Sequence, residues 1–413
     1  MKQKHILVVS QYFYPESFRI NDICKEWIKR GYKVTVLTGI PNYPEGKFYK
    51  GYNWFKRKKE TWNGIDIIRI PLIARGKSSF KLVLNYFSFV YFGFFWKMFT
   101  RIKADLVFTF EVSPMTQALI GVWYAKKRKI PHFLYVQDLW PENVEVVTGI
   151  RSRMVIGPIT KMTKSIYKRS DLILATSESF VTAIQERIPN QIDKVKYWSQ
   201  YAEDFYRPVD KIASEIPQDG IFKVIFTGNI GQAQGLDILP KAAKILQDEG
   251  IKVQFVIVGD GRDRERFVLD IKKNEVSDMF LLIPRQEAER IPTFLHSCQA
   301  VFISFKDSPL FANTIPAKLQ SYMACGMPII AAASGETERI IREANCGVCS
   351  KIGDAQDVAM NIKSLMQRTD LKELSNNGRQ YYCNQFDKEK LMDQMDIFIE
   401  EAALFKQKNS QKR

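Results

Sequence analysis

The sequence predicts an α/β protein built from two parallel, doubly wound domains of Rossmann type in tandem. Three observations carry that prediction. Short runs that are apolar on both faces recur along the chain. Amphipathic stretches of helical period separate most of them, and the alternation lapses once near the middle before restarting. A chain of 413 residues is also too long for one core.

In the first half, "HILVVS" (5–10), "KVTVLTG" (33–39), "IDIIRI" (65–70), "DLVFTF" (105–110), "PHFLYVQ" (131–137) and "DLILATS" (171–177) read as buried strands. The segment "INDICKEWIKRG" (20–31) has helical period and ends on Gly31, as a helix C-cap should. Residues 201–221 are polar, hold two prolines and keep no period. They mark a linker between a first domain over 1–200 and a second over 222–387. The second domain opens with "FKVIFTG" (222–228) and continues through "VQFVIVG" (253–259), "MFLLIP" (279–284), "AVFISF" (300–305) and "MPIIAAA" (327–333). Residues 388–413 read as a long amphipathic helix with a basic tail.

Composition narrows the class. Hydrophobic residues at 46% and charged residues at 26% describe a globular chain. The first apolar run, Ile6 to Val9, is too short for a signal-peptide core, so a cytoplasmic chain is expected. Cys346 and Cys349 form a lone CxxC in a chain with three histidines, which favours small apolar slots at a strand entrance over zinc or redox chemistry. The net charge of +16 admits nucleic acid, an anionic membrane or anionic small molecules. The basic residues are dispersed, with modest clusters at 55–60, 125–129 and 405–413. No nucleic-acid motif accompanies them, so a basic nucleic-acid binder ranks last.

In doubly wound sheets, ligands bind outside the carboxyl ends of the strands. The first such loop, "SQYFYPESFR" (10–19), has no glycine, which argues against NAD or FAD, and no phosphate-loop ATPase motif occurs. In the second domain, "TGNIGQAQGL" (227–236) places Gly228, Gly231 and Gly235 before a helix, either as a phosphate cradle or as a tight turn. "VGDGRDRERF" (258–267) adds Gly259, Asp260 and Gly261, and Ser334-Gly335-Glu336 follows a later strand. "NTIPAKLQSYMACGMPII" (313–330) reads as a helix start at Asn313, Thr314 and Pro316. Its Lys318 lies in the first turn, where the helix dipole disfavours a cation unless an anion is bound nearby. In the first domain, Asp138 and Glu142 flank Trp140-Pro141 just past a strand. A carboxylate there serves as a general base, as an acceptor for a substrate hydroxyl, or as an N-cap.

The stretch "FKLVLNYFSFVYFGFFWKMFTRI" (80–102) is unusually aromatic, with Lys81, Lys97 and Arg101 toward its ends. Its apolar core is interrupted and short of the roughly twenty residues of a spanning helix. It reads either as a buried helix or as one lying in a membrane interface, and the positive net charge favours the second.

Together, "GNIGQAQGLDILPKAAKIL", "VGDGRDR", "IPAKLQSYMACGMPIIAAASGE" and "QDLWPENV" resemble the retaining glycosyltransferases of the GT-B fold, family four. Within that family they are most similar to the fucosamine-transferase-like subgroup of surface-polysaccharide assembly. The resemblance implies two Rossmann-like domains facing a central cleft, and a last helix that crosses back to the N-terminal domain. It implies a nucleotide-sugar donor, plausibly UDP-linked with an N-acetylated amino or deoxyamino sugar, and a lipid-linked saccharide acceptor at the inner membrane face. On the donor side it implies Gly228, Asn229, Gln234, Gly235, Gly259, Asp260, Arg285, Thr314, Pro316 and Ser321. Asp138, Lys318 and Glu336 become the catalytic candidates, with Glu16, Arg19, Trp140 and Glu142 toward the acceptor. The family's Glu-x7-Glu pair aligns with Asn313 and Ser321, and the Arg and Lys of its first glycine loop align with Asn229 and Gln234. Lys318 then supplies the missing positive charge. No Asp-x-Asp occurs, so neither a metal nor another cofactor is expected. The alternative of the same fold is a non-hydrolysing nucleotide-sugar 2-epimerase, against which the acceptor-side loops and the aromatic helix speak.

Overall fold

Alternating apolar strands and amphipathic helices close into two separate sheets. The structure, a computed structural model, describes residues 3–76, 78–150 and 152–411. The chain divides into two units, Met1–Trp198 with Met392–Arg413, and Ser199–Leu391.

The first unit runs β1 (His5–Val9), α1 (Arg19–Lys29), β2 (Lys33–Thr38), β3 (Lys59–Trp62), β4 (Ile65–Arg69), α2 (Ser79–Phe99), β5 (Leu106–Glu111), α3 (Ala118–Arg128), β6 (His132–Val136), α4 (Glu142–Thr148), α5 (Arg153–Arg169), β7 (Leu172–Ala175), α6 (Glu178–Arg187) and β8 (Val195–Tyr197). Its strand order is β3-β4-β2-β1-β5-β6-β7-β8. All pairs are parallel except β3 with β4, which close an edge hairpin. Burial on both faces explains the unbroken apolar runs: Ile6 through Val9 are fully buried between β2 and β5.

The second unit runs β9 (Phe222–Thr227), α7 (Ile238–Asp248), β10 (Val253–Val258), α8 (Arg264–Lys273), β11 (Phe280–Ile283), α9 (Ile291–His296), β12 (Ala300–Ser304), α10 (Pro309–Ala312), α11 (Ala317–Ala324), β13 (Ile329–Ala332), α12 (Glu336–Glu343), β14 (Gly347–Ser350), α13 (Ala355–Met366) and α14 (Leu371–Gln385). Its strands are all parallel in the order β11-β10-β9-β12-β13-β14. Both sheets reverse direction beside their first strand, so the loops after β1, β5, β9 and β12 meet at the switch points where such folds hold ligands.

Three strands lie outside the runs expected from sequence: β3, β8 and β14. Residues 201–221 carry neither helix nor strand, yet Ala202, Ala213 and Ile216 are buried in the core of the second unit. The last helix, α15 (Lys388–Gln411), belongs to the first unit from Met392 onward. There Met392 and Met395 are fully buried, and the Arg30 guanidinium bonds Asp393 and Asp396 at 2.7 Å each. Tyr32 donates to the same Asp396 at 2.8 Å. The basic tail from 405 lies outside the described side chains.

Helix α2 corrects one expectation. It is an unbroken helix of 21 residues, long and apolar enough to cross a membrane by length and composition, not a stretch that falls short of that length. Its amphipathy is inverted. Asn85, Ser88 and Gly93 are buried with Phe89, while Phe80, Phe87, Tyr91 and Phe99 are exposed. Asn85 receives a hydrogen bond from Gln11 and donates one to the Ile73 carbonyl. A Cβ on Gly93 would press within 2.2 Å of the Ile120 side chain, so α3 packs where the helix has no side chain.

The Arg30 cluster ties α15 to α1, and its charge-assisted bonds converge on one guanidinium. Arg30→Ala is expected to lower stability by about 1–2 kcal/mol. A thermal midpoint equal to that of the parent would show that α15 is held by its methionines alone.

Candidate active site

In the second unit the loops after β9 and β10 lie backbone against backbone. Gly228 N donates to the Val258 carbonyl, and Ile230 N donates to the Asp260 carbonyl, both at 2.9 Å. Nothing larger than glycine fits between them. A Cβ on Gly259 would stand 1.9 Å from the Gly228 oxygen, and one on Gly261 would stand 2.1 Å from the Ile230 oxygen. Gly235 (φ 57°) closes the short turn Gln232–Gln234 in the left-handed region and passes beside the Phe305 backbone. The glycines expected to cradle a phosphate therefore do serve a tight turn. They also leave the backbone bare on the side where Lys318 lies.

Lys318 is the second residue of α11, behind Pro316 at the N-cap. Its stem runs along Gly228: a Cβ there would meet the Lys318 Cε at 3.0 Å. The ammonium sits 3.8 Å above the Phe226 ring and donates to Gln234 Oε1 at 2.9 Å. The residue keeps some exposed surface, but its ammonium is enclosed. Burial alone pulls its pKa down to about 7, with no carboxylate opposing the shift. The misplaced cation of the sequence is thus a buried charge whose in-chain partners are an amide oxygen and a ring face.

The other donor-side candidates divide. Gln234 joins Lys318 directly. Glu336 opens α12 after Gly335 (φ 66°), is 4% exposed, and holds Arg339 at 2.7 Å. Thr337 binds the Thr314 carbonyl, which links α12 to the loop before α11. Ser321 spends its hydroxyl on the Ala317 carbonyl within its own helix, and Thr314 spends its own on Leu310. Asp260 caps the Gly261 amide at 2.7 Å, and Asn229 is exposed on the first glycine loop. Arg285 is exposed at the end of the edge strand β11, two strands from β9, so the structure does not bring it to Lys318.

In the first unit, Asp138 follows β6 and does not cap α4, whose N-cap is Pro141. Its Oδ2 accepts the Ser113 amide at 2.7 Å and pins the end of β5 to that of β6. Burial raises its pKa. Glu16 likewise accepts the Asn42 and Tyr43 amides, at 2.7 and 2.6 Å, and burial lifts it to about 7. Two acceptor-side expectations meet occupied groups. Trp140 is 6% exposed, its indole N–H donates to Ser113 Oγ at 3.0 Å, and Glu142 is ion-paired with Arg187. Arg19 opens α1, with its charge felt at the buried Tyr135. Sequence reasoning missed Glu111, the last residue of β5. It is fully buried, with the backbone amides of Asp138 and Gln137 facing its carboxyl group. Burial first, then the neighbouring Asp138, hold its pKa well above the usual carboxylate range. Among the described residues, no group of three or more His, Cys, Asp or Glu side chains is placed to share a metal ion.

Comparison with known proteins follows the same division. Residues 17–197 match the family model of the glycosyl transferase 4-like domain, and residues 210–381 match that of glycosyl transferases group 1. The chain is 25% identical over 328 residues to WcaI of Escherichia coli K12, described as a colanic acid biosynthesis glycosyl transferase, with 76% of this chain and 78% of that one covered. It is 25% identical over 227 residues to WbjE of Pseudomonas aeruginosa, described as a glycosyltransferase, covering 52% and 54%. Among solved structures, sucrose-phosphate synthase from Thermosynechococcus elongatus superposes with TM-score 0.77 at 16% identity, over 97% of this chain and 99% of that one. HepE of Anabaena, in complex with UDP and glucose, gives 0.69 at 16% identity over 97% and 100%. At such identities the likeness shows the fold, which is GT-B.

The enclosed ammonium makes a stability prediction with a definite sign. The unfolded chain binds the Lys318 proton below about pH 10.4, whereas the folded chain binds it only below about 7. This lysine therefore costs stability fully below pH 7, and the cost fades as pH rises toward 10. Lys318→Met is expected to stabilise the unliganded protein by about 1–3 kcal/mol at pH 6–7, with the gain shrinking by pH 10. Thermal midpoints measured across that range check it, and a destabilised variant at pH 6 would show that the Gln234 and Phe226 contacts outweigh the burial.

Proposed function

Since the chain is a glycosyltransferase with the GT-B fold, we propose that it moves a sugar from a nucleotide diphosphate donor to a lipid-linked saccharide during surface-polysaccharide assembly. We assign retention of anomeric configuration, and an N-acetylated amino or deoxyamino sugar on UDP, as in the subgroup its motifs resemble. The single observation behind the donor reading is the enclosed Lys318 ammonium, which no carboxylate among the described residues balances, lying along a side-chain-free glycine loop. A diphosphate at that place balances the charge, and the bare loop amides and the first turns of α11 and α12 favour an anion. Solved relatives of the fold hold UDP or UDP-sugars, among them HepE and the trehalose-6-phosphate protein of E. coli.

In the reaction the departing phosphate draws the proton of the acceptor hydroxyl. Lys318 stabilises the charge that develops on that phosphate. Glu336, fixed by Arg339, holds a sugar hydroxyl, and Asp138 orients the acceptor. We assign no divalent metal to the step. The support is the basic route to charge compensation and the lack of an Asp-x-Asp pair in the sequence.

The acceptor reading draws on α2. Its exposed aromatic side is flanked by Lys81 and Lys97, and by Lys127, which donates to the last carbonyls of the helix. A helix whose polar side is hydrogen-bonded into its own domain is suited to lie along a membrane rather than to cross it. We therefore place the protein at the inner face of the cell membrane, with anionic lipid as the partner of α2.

The donor reading is tested with UDP and a panel of UDP-sugars. Binding should raise the thermal midpoint by mass action. A diphosphate beside Lys318 favours its charged form, so affinity should weaken as pH rises above about 7. With a matched acceptor, Lys318→Met should lower turnover at least tenfold, about 1.4 kcal/mol of transition-state stabilisation, while EDTA leaves the parent rate intact. Unchanged turnover removes Lys318 from the site, and activity lost to EDTA but restored by manganese removes the metal-free reading. For the membrane, Phe87→Glu with Tyr91→Glu should abolish co-sedimentation with phosphatidylglycerol vesicles at low salt. A parent protein that never sediments ends that assignment.

A further inference from the structure

Among the described residues of the first unit, Arg75 is a largely enclosed cation that faces no acid. Arg30, Arg69 and Arg187 each close on a carboxylate, of Asp393 and Asp396, of Glu60, and of Glu142. Arg75 does not. Its guanidinium lies over the Tyr43 ring at 5.3 Å and donates weakly to the Tyr12 hydroxyl at 3.3 Å. The groups that face it electrostatically are the phenols of Tyr12, Tyr86 and Tyr43. Its own amide donates to Asn42 Oδ1 at 2.9 Å, so the residue is fixed by its backbone and its head is committed to rings. A guanidinium carries five N–H donors, and among the described residues this one makes a single weak bond.

The phenols complete a donor set. Burial raises the pKa of Tyr12 and of Tyr86, so both keep their protons through the neutral range. Tyr86 belongs to α2, and its electrostatic neighbours are Arg75, Tyr43 and Asp138. Arg75 thus lies four residues ahead of α2, the helix assigned to the membrane, and Tyr86 on that helix also faces Asp138, the carboxylate assigned to the acceptor. A forked, permanently charged group ringed by protonated phenols recognises a phosphoryl oxygen better than any neutral sugar.

We propose that Arg75, with Tyr12 and Tyr86, binds the phosphoryl group of a lipid-borne diphosphate, so that the lipid-linked acceptor is held at its phosphate end beside α2. This rests on the lipid-linked acceptor reading above and adds the group that distinguishes such an acceptor from a free saccharide. Anionic headgroups and a prenyl-linked diphosphate share phosphate chemistry, and the diphosphate is the source assigned to Arg75.

The test needs no turnover. Co-sedimentation of the full chain is measured with phosphatidylcholine vesicles carrying about 10 mol% farnesyl diphosphate, farnesol or phosphatidylglycerol, at fixed ionic strength sufficient to screen surface charge. The parent is expected to bind the diphosphate vesicles at least threefold better than the farnesol vesicles. Arg75→Gln should erase that increment while keeping the parent's binding to phosphatidylglycerol. Arg57→Gln, which removes an exposed arginine elsewhere in the unit, should keep the increment. An increment retained in Arg75→Gln, or lost equally in Arg57→Gln, overturns the Arg75 site and leaves the lipid-linked acceptor standing. A parent that draws no increment from the diphosphate overturns both, and UDP binding then reports separately on the donor reading.

Discussion

Everything assigned to the second unit depends on one steric constraint, the contact between the Gly228 carbonyl and Gly259. Two parallel strands end side by side, and their following loops touch backbone to backbone because neither carries a Cβ at the contact. The stem of Lys318 then runs along Gly228 and delivers an ammonium over the Phe226 ring. An alanine at 259 would push the loops apart, and the lysine would lose its place with them. The cost of enclosing that ammonium is borne by the surrounding core, as is usual for functional groups. Its lowered pKa and its lack of a counter-charge are two expressions of the same burial.

The first unit uses its polar groups differently. Glu16 and Asp138 cap amides of neighbouring loops, Glu142 neutralises Arg187, and Asn85 bonds α2 to Gln11 and Ile73. These contacts hold irregular loops at the strand ends without regular secondary structure, which matters because buried loop amides need partners. They also explain the inverted helix. The groups that a surface helix normally turns outward are needed inward as acceptors and donors, and the aromatics are left outside. A surface so apolar in an otherwise strongly basic chain calls for a partner.

Much of this architecture was legible in the residues. Every strand read from a two-sided apolar run exists, because burial on both faces of a parallel sheet leaves an unbroken signal. The strands that escaped lack it. Lys59–Trp62 is an exposed edge hairpin, Val195–Tyr197 has three residues, and Gly347–Ser350 carries a glycine and a cysteine in place of large apolar side chains. In the site, Lys318 was conspicuous because a first-turn cation violates a local rule. Arg75 gave no such sign, since an arginine in a loop before a helix breaks no pattern.

The sequence by itself determined the two parallel sheets, the order of their strands and helices, and the glycine loops at the strand ends, since these follow from local periodicity and backbone sterics. Only the tertiary structure decided which polar side chains remain uncommitted. Glu142 finds Arg187 45 residues away, and Arg30 finds Asp396 across 366. Lys318 meets Gln234 across 84 and, among the described residues, no acid. Charge pairing is a property of distance in space, and no periodicity along a chain encodes it.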